Sequence, residues 1–108
     1  MSKLLETIQE LIGAGSFRIS EHGYDELAAD GLYIKELLKG LLWAQVVEEY
    51  PDYPKGPCVL VLVRSEDMSP VHMVLGIPKG KSGPAVLVTA YRPEQDLWDE
   101  TFTRRLKP

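Results

Sequence analysis

Two histidines are the side chains of this sequence best suited to acid–base chemistry near neutral pH. His22 is the second residue after Ser20, at the predicted start of a helix. The positive helix end there favours a neutral imidazole that can accept a proton, whereas the adjacent Glu21 favours the protonated form. His72 lies within a predicted strand, on the side opposite the more apolar face of that strand. Tyr91 and Arg92 close the last predicted strand and add a hydroxyl group and a fixed positive charge.

These residue types suit the metal-independent cleavage of RNA. One group would remove the proton from the ribose 2′-OH, cations would stabilise the charged phosphorane, and another group would protonate the leaving oxygen. We therefore predict His22, His72, Tyr91 and Arg92 as catalytic residues. Each also has a structural interpretation, such as a histidine that supports a helix start, and the spacing leaves both interpretations open.

Other kinds of site lack the residues that they need. Gly-Lys-Ser at 80–82 resembles the end of a phosphate-binding loop, but Leu75 stands where that loop needs glycine, and a strand follows instead of a helix. The histidines show no metal-binding spacing, and the single cysteine, Cys58, has no visible nucleophile–base partner. The sequence therefore predicts neither a metal nor a cofactor.

The apolar periodicity predicts an α+β fold. Apolar residues recur at helical spacing over 3–12 and 34–42, and Ser20 is the expected N-cap of a helix over 21–29. Strands are expected at 17–19, 45–50, 58–64, 71–77 and 85–91. Short connections between the last strands favour hairpins, so we expect helices packed on one antiparallel sheet of four to five strands. Leu38 and Leu41 should be buried against this sheet, and Trp98 should fold back onto the domain.

Composition predicts one small domain over 1–108, with an amino-terminal helix in 1–15 and a core over 17–98. The apolar runs are too short to span a membrane, and one cysteine excludes a disulfide scaffold, so we expect a cytoplasmic protein. The net charge of −4 does not suit a general nucleic-acid binder. Residues 1–54 have four Lys/Arg and ten Asp/Glu, a net charge of −6, and residues 55–108 have eight Lys/Arg and six Asp/Glu, a net charge of +2. The second half of the chain can therefore form a locally positive site.

The order of short motifs resembles a bacterial domain family of unknown function. The first motif is a short strand followed by Ser-x-His at 20–22. The second is a glycine at 40 that precedes Val-Glu-Glu-Tyr-Pro at 47–51. The third is Tyr-Arg-Pro at 91–93, which is followed by tryptophan at 98. The resemblance covers residues 17–98, and the amino-terminal helix lies outside it.

The resemblance implies a layout similar to that of the RelE and MqsR ribonuclease toxins. It implies RNA as substrate and an antitoxin protein, of a small zinc-containing helix-turn-helix type, as partner. Under this interpretation the catalytic roles fall on His22 and His72, with Tyr91 and Arg92 as additions. The alternative is a non-enzymatic protein-interaction or binding module that uses its sheet face or its acidic helices.

Overall fold

The computed structural model of the protein describes residues 2–106. Within these residues three α-helices and five strands follow one another along the chain: α1 (Lys3–Gly13), β1 (Phe17–Ile19), α2 (Glu21–Ala29), α3 (Ile34–Gly40), β2 (Gln45–Tyr50), β3 (Cys58–Arg64), β4 (Pro70–Gly76) and β5 (Ala85–Tyr91). A single 3-10 turn, Leu41–Trp43, joins α3 to β2. The predicted α+β fold class is confirmed.

The five strands form one sheet in the order β1-β5-β4-β3-β2. Strands β2 to β5 pair antiparallel with their neighbours in the chain, as expected for successive hairpins. Strand β1 instead pairs with β5 in parallel, with Arg18 opposite Val86. The sheet is therefore mixed and not antiparallel throughout, because the chain leaves β1 through two helices and returns to it only with the last strand.

All three helices pack on one face of this sheet. Alternation along the strands sends every second side chain to that face, where it meets the apolar stripes of the helices. The buried residues of this core are Leu5, Ile8, Leu27, Leu32, Leu37, Leu41, Val59, Val61, Val63, Val71, Met73, Leu75, Ile77, Ala85, Leu87 and Ala90. Helix α1 contributes two of them, so it shares one core with the elements that follow it.

The residues at the end of α3 and just after it pack against the sheet. Leu41 is buried as predicted, whereas Leu38 is only partly buried, because Leu37 takes the position that faces the core. We expect Leu37→Ala or Leu41→Ala to lower the free energy of unfolding by about 2–5 kcal/mol. Leu42→Ala, at a side chain that is 76% exposed, is the matched control and should change it by less than about 0.5 kcal/mol. Chemical denaturation measures both, and similar losses at positions 41 and 42 would contradict the packing described.

None of the helices within residues 2–106 lies on the second face of the sheet. The C-terminal segment, residues 94–106, covers the part of this face formed by Leu62 and His72. Its Trp98 is 4% exposed and lies against the His72 ring, which confirms that the tryptophan folds back. The part of the face nearer the start of α2 stays open. Among residues 2–106, no helix is long and apolar enough to cross a membrane.

Candidate functional site

A row of paired residues crosses the open part of the helix-free face. Arg18 in β1 lies opposite Val86 in β5, Val86 opposite Gly76 in β4, and Gly76 opposite Cys58 in β3. Paired residues share a face, so Val86, Gly76 and Cys58 form a continuous floor, and Arg18 stands beside it at the β1 end. A Cβ atom at Gly76 would stand 2.9 Å from Cys58 Sγ and 2.9 Å from the Pro57 carbonyl oxygen. Glycine at this position therefore permits the close packing of Cys58 and Pro57, and the floor residues line a depression in the sheet face.

The start of α2 stands beside this floor because Ser20 ties it to β5. The Ser20 amide donates to the Leu87 carbonyl oxygen at 3.0 Å, and the Ser20 hydroxyl donates to the Val88 carbonyl oxygen at 3.0 Å. The same hydroxyl oxygen accepts from the Gly23 amide at 2.9 Å, which confirms Ser20 as the N-cap. A Cβ atom at Gly23 would meet the Leu87 carbonyl oxygen at 2.9 Å, so glycine permits the close approach. His22 lies between these anchors in the first helical turn.

The loop between β2 and β3 closes the other side of the depression. The Lys79 amide donates to the Lys55 carbonyl oxygen at 3.0 Å, and the Gly56 amide donates to the Tyr53 carbonyl oxygen at 2.9 Å. Gly56 has a φ of +131°, and a Cβ atom there would come within 2.0 Å of the Ile77 carbonyl oxygen. Only glycine fits this position. The loop is thus held against the end of β4, with Tyr53 and Lys55 at the rim.

Together these elements enclose a basic cleft of about 330 Å³, lined by Arg18, His22, Tyr53 and Lys55 at the rim and by the floor residues. Two lining residues are permanent cations and His22 becomes one when protonated. Within the described chain no lining residue of this cleft is acidic, whereas a pocket of similar size beside α3 has three carboxylates in its lining. The His22 side chain is 65% exposed, and its Nε2 lies 3.5 Å from Glu26 Oε1 on the next helical turn. The cleft therefore presents positive charge on a protein that is acidic overall.

His72 and Tyr91 lie together, but away from this cleft and beneath the C-terminal segment. They are register partners in β4 and β5, and His72 is 0% exposed. His72 Nε2 lies 2.7 Å from the Phe102 carbonyl oxygen, so this nitrogen carries the hydrogen and donates it. In the neutral ring Nδ1 then accepts from the Tyr91 hydroxyl at 3.2 Å. Trp98 packs edge-on against the same ring, with the centroids 4.5 Å apart.

The neutral state of His72 makes the stability of the fold depend on pH. Burial holds the pKa of His72 below the usual histidine value, so the unfolded chain binds more protons than the folded protein in acid. The neutral His72 ring therefore makes its full contribution to the free energy of unfolding above about pH 6.5. This contribution is lost as the pH falls from about 6.5 through the pKa of His72 in the folded protein. Urea unfolding at about pH 7.5 and about pH 5 should show this loss in the wild type and less of it in His72→Gln. Equal losses in the two proteins would contradict this role.

An ion pair fastens the C-terminal segment to β2. Arg105 donates through Nε to Glu48 Oε2 at 2.9 Å and through Nη2 to Glu48 Oε1 at 3.1 Å, and its guanidinium lies 4.8 Å from the Trp98 ring centroid. The Tyr50 hydroxyl also donates to Glu48. The Arg105 guanidinium lowers the pKa of Glu48, while burial and the neighbouring Glu48 raise the pKa of Tyr50 to about 12. These contacts make the segment part of the folded domain.

Arg92 lies at a third place, at the far end of α2. Its backbone amide donates to Asp30 Oδ2 at 2.9 Å, and its Nε donates to the Asp30 carbonyl oxygen at 3.2 Å. Asp30 is the C-cap of α2, so these bonds tie the end of that helix to the chain that leaves β5. The structure therefore brings the His72 and Tyr91 side chains together. The side chain of Arg92, the next residue, bonds to Asp30 instead, and His22 lies at the basic cleft.

Three rim residues of the basic cleft were missed by the sequence analysis. Arg18 lies at the cleft because β1 pairs in parallel with β5. A strand of three residues is too short for the sequence to predict that pairing. Tyr53 and Lys55 belong to a proline-rich loop whose position depends on contacts with the distant residues 77–79. A usable signal was the Pro-x-x-Pro-x-Gly-Pro stretch at 51–57, because an aromatic and a lysine within a stiff loop are candidates for ligand contacts. Within residues 2–106, no three His, Cys, Asp or Glu side chains are grouped so that they could hold a metal ion.

Comparison with known proteins gives one positive result. No curated protein and no solved structure matches the chain. The family model described as a domain of unknown function, DUF4258, matches residues 19–92. This range starts just before Ser20 and ends at Arg92, so it includes α2, β2 to β5 and every lining residue of the basic cleft except Arg18. Because the match covers more than half of the sequence, the chain belongs to the DUF4258 family of domains of unknown function.

Proposed function

We propose that this domain is a metal-independent RNA endonuclease, similar to RelE-like toxins, and that the basic cleft is its active site. The observation that carries the proposal is the charge of the cleft. Its lining includes Arg18, His22 and Lys55 and no Asp or Glu, although the protein has a net charge of −4. A phosphodiester needs cations of this kind around its non-bridging oxygens. The histidine adds the one side chain whose ordinary titration falls near neutral pH.

In the proposed reaction His22 accepts the proton of a ribose 2′-OH. The 2′ oxygen forms a bond to the adjacent phosphorus, and the bond from that phosphorus to the 5′ oxygen of the next nucleotide breaks. Arg18 and Lys55 stabilise the negative charge of the phosphorane, and the leaving 5′ oxygen takes a proton from water at the open side of the cleft. The products are a 2′,3′-cyclic phosphate and a 5′-OH, and the imidazolium of His22 then returns its proton to solvent.

The proposal retains His22 as a catalytic residue and gives the other candidate residues structural roles. Both ring nitrogens of His72 are already engaged, and the C-terminal segment covers the ring. Tyr91 shares one of those bonds, and Arg92 is bonded to Asp30. His22 is exposed, at a cleft with two cations, and is therefore the histidine that can meet a substrate without any rearrangement.

The proposal is tested by incubating the purified protein with a labelled RNA in EDTA. We expect cleavage to continue in the chelator and to leave 2′,3′-cyclic phosphate and 5′-OH ends, because the protein's own side chains supply the base and the cations. A single base also predicts a rate that rises with pH and then levels off, whereas a bell-shaped profile would require a second titrating group. No cleavage, or cleavage abolished by EDTA, would contradict the proposal.

A second candidate function, a protein-interaction module, is favoured by a different surface. Leu42, Trp43 and Met68 are 76%, 84% and 68% exposed, and a hollow of about 310 Å³ lies between Trp43 and Met68. Exposed apolar side chains of this size often mark a protein contact. If the domain is a RelE-like toxin, the protein that covers this surface would be its antitoxin. If the domain is a binding module, it would be another protein partner. We call these three residues the apolar patch.

Co-expression with the product of a neighbouring short reading frame tests the second function. If that product is the partner, Trp43→Ala should weaken the purified complex by at least tenfold, while Tyr33→Ala, also at an exposed aromatic, should leave it intact. A complex that depends on Trp43, together with a protein that cleaves no RNA, would favour the interaction module over the enzyme. A complex insensitive to Trp43→Ala would remove the patch as the contact.

A further inference from the structure

The basic cleft has an apolar floor, cations and an exposed aromatic ring, and these surfaces complement the base and the phosphate of a nucleotide. Its floor is formed by small and aliphatic residues, its rim carries Arg18 and Lys55, and Tyr53 stands at the same rim with 45% of its surface exposed. A nucleotide has a flat base with an apolar face and a phosphate with negative charge. Aromatic side chains beside cations bind unpaired bases by stacking while the cations hold the backbone.

The backbone at Tyr53 is held by hydrogen bonds within the protein. The Tyr53 carbonyl oxygen accepts from the Gly56 amide at 2.9 Å, and the Tyr53 amide donates to the Tyr50 carbonyl oxygen at 3.4 Å. Gly56 is in turn packed against the backbone of residues 77–79, and Lys55 is bonded there through its carbonyl oxygen. A loop fixed in this way loses little conformational entropy when a ligand binds, which favours affinity. The backbone that carries the exposed ring is therefore held in place before a ligand binds.

The size of the cleft limits what fits. Its volume of about 330 Å³ is at the lower end of the range for small-ligand sites, so it suits one nucleotide unit. A base within a double helix is already stacked on both faces, and double-stranded RNA is recognised across broad grooves by shape instead. A narrow depression between the start of α2 and the Tyr53 loop offers no such broad surface.

We infer that the basic cleft takes a single unpaired nucleotide of single-stranded RNA, with the base between Tyr53 and the apolar floor and the phosphate between Arg18 and Lys55. This inference rests on the proposed function, since it names the substrate of the same site. His22 then stands beside the phosphate at the start of α2. The specificity is for an unpaired base at the cleavage position, and Tyr53 is the residue that determines it.

Binding of an RNA that cannot be cleaved separates this inference from the proposed chemistry. A fluorescein-labelled 2′-O-methyl oligonucleotide, long enough to stay paired with its complement during the titration, lacks the attacking hydroxyl group, so fluorescence anisotropy measures binding alone. We expect Tyr53→Ala to weaken binding by about 5- to 150-fold, the range that stacking of one base supports. Tyr53→Phe should retain binding, because it keeps the ring. Tyr24→Ala, at a 61% exposed tyrosine outside the cleft lining, should bind like the wild type.

The same strand annealed to its complement should bind at least about tenfold more weakly than the single strand. Equal binding of single strand and duplex, or a Tyr53→Ala protein that binds like the wild type, would overturn the inference. If either occurs while the protein still cleaves RNA in EDTA, the substrate assignment fails and the proposed function stands. If the single strand binds through Tyr53 and an unmodified RNA is not cleaved, the proposed function fails and the cleft remains a site for an unpaired nucleotide.

Discussion

His22→Ala should lower the rate of RNA cleavage by about 10²- to 10⁴-fold, the usual loss when a general base is removed. The imidazole is 65% exposed in the first turn of α2, so its removal leaves no cavity in the core. The helix start itself is held by Ser20, whose hydroxyl accepts from the Gly23 amide, and this bond does not involve His22. The loss should therefore appear in turnover and not in the free energy of unfolding. If the domain acts as a toxin, the variant should also relieve growth arrest on expression.

Tyr24→Ala is the matched control for His22→Ala. Tyr24 is on the same helix and is 61% exposed, but it does not line the basic cleft. Under the proposed function its variant should cleave RNA at the wild-type rate and, if the domain acts as a toxin, arrest growth to the same extent. Wild-type activity in His22→Ala would contradict the assignment of the base. Equal losses in both variants would point to a general effect of changes in α2.

Trp98→Ala should lower the free energy of unfolding by about 3–5 kcal/mol, the range for truncating a large buried aromatic side chain. Trp98 is 4% exposed and lies between the His72 ring and the Arg105 guanidinium. Its removal would uncover His72 and leave the C-terminal segment with little apolar contact to the sheet. Since folded domains are stable by only about 5–15 kcal/mol, this is a large share of the total. Chemical denaturation measures the change.

Trp43→Ala is the control for Trp98→Ala, because Trp43 is 84% exposed and should contribute less than about 0.5 kcal/mol. Trp98→Phe keeps an aromatic ring against His72 and should lose less stability than the alanine variant. In a Trp43→Phe background, the emission of Trp98 should be that of a buried indole. A Trp98→Ala protein as stable as Trp43→Ala, or solvent-like emission from Trp98, would show that the C-terminal segment does not pack as described.

The local features of the fold could be predicted from the sequence because each depends on neighbouring residues. Ser20 as an N-cap follows from residue type and from the helical pattern after it, and the bond from the Gly23 amide confirms it. The alternation in β4 correctly placed His72 on the face opposite Met73. Periodicity also predicted burial at the end of α3, although it could not distinguish Leu37 from Leu38, which differ by one position on the same stripe.

The site could not be assembled from the sequence because its parts meet only in the tertiary structure. Arg18 reaches the cleft through the parallel pairing of β1 with β5, whose partner residue Val86 is 68 positions away. His72 and Arg92 are polar residues of the type that catalysis uses, yet the sequence does not reveal that Phe102 and Asp30 occupy their hydrogen-bonding groups. Residue type indicates which chemistry is available, and burial decides which residues can take part in it.

An NMR titration of the isotope-labelled protein with uridine 3′-monophosphate tests most directly whether the basic cleft is the site. The ligand carries one base and one phosphate and is not a substrate for cleavage, so the measurement reports location alone. At millimolar ligand, we expect signals of Arg18, His22 and Gly76 to shift in one saturating process, while those of Tyr91 and Trp98 stay in place. Shifts centred on Tyr91 and Trp98, or no shifts in the cleft at these concentrations, would contradict the assignment.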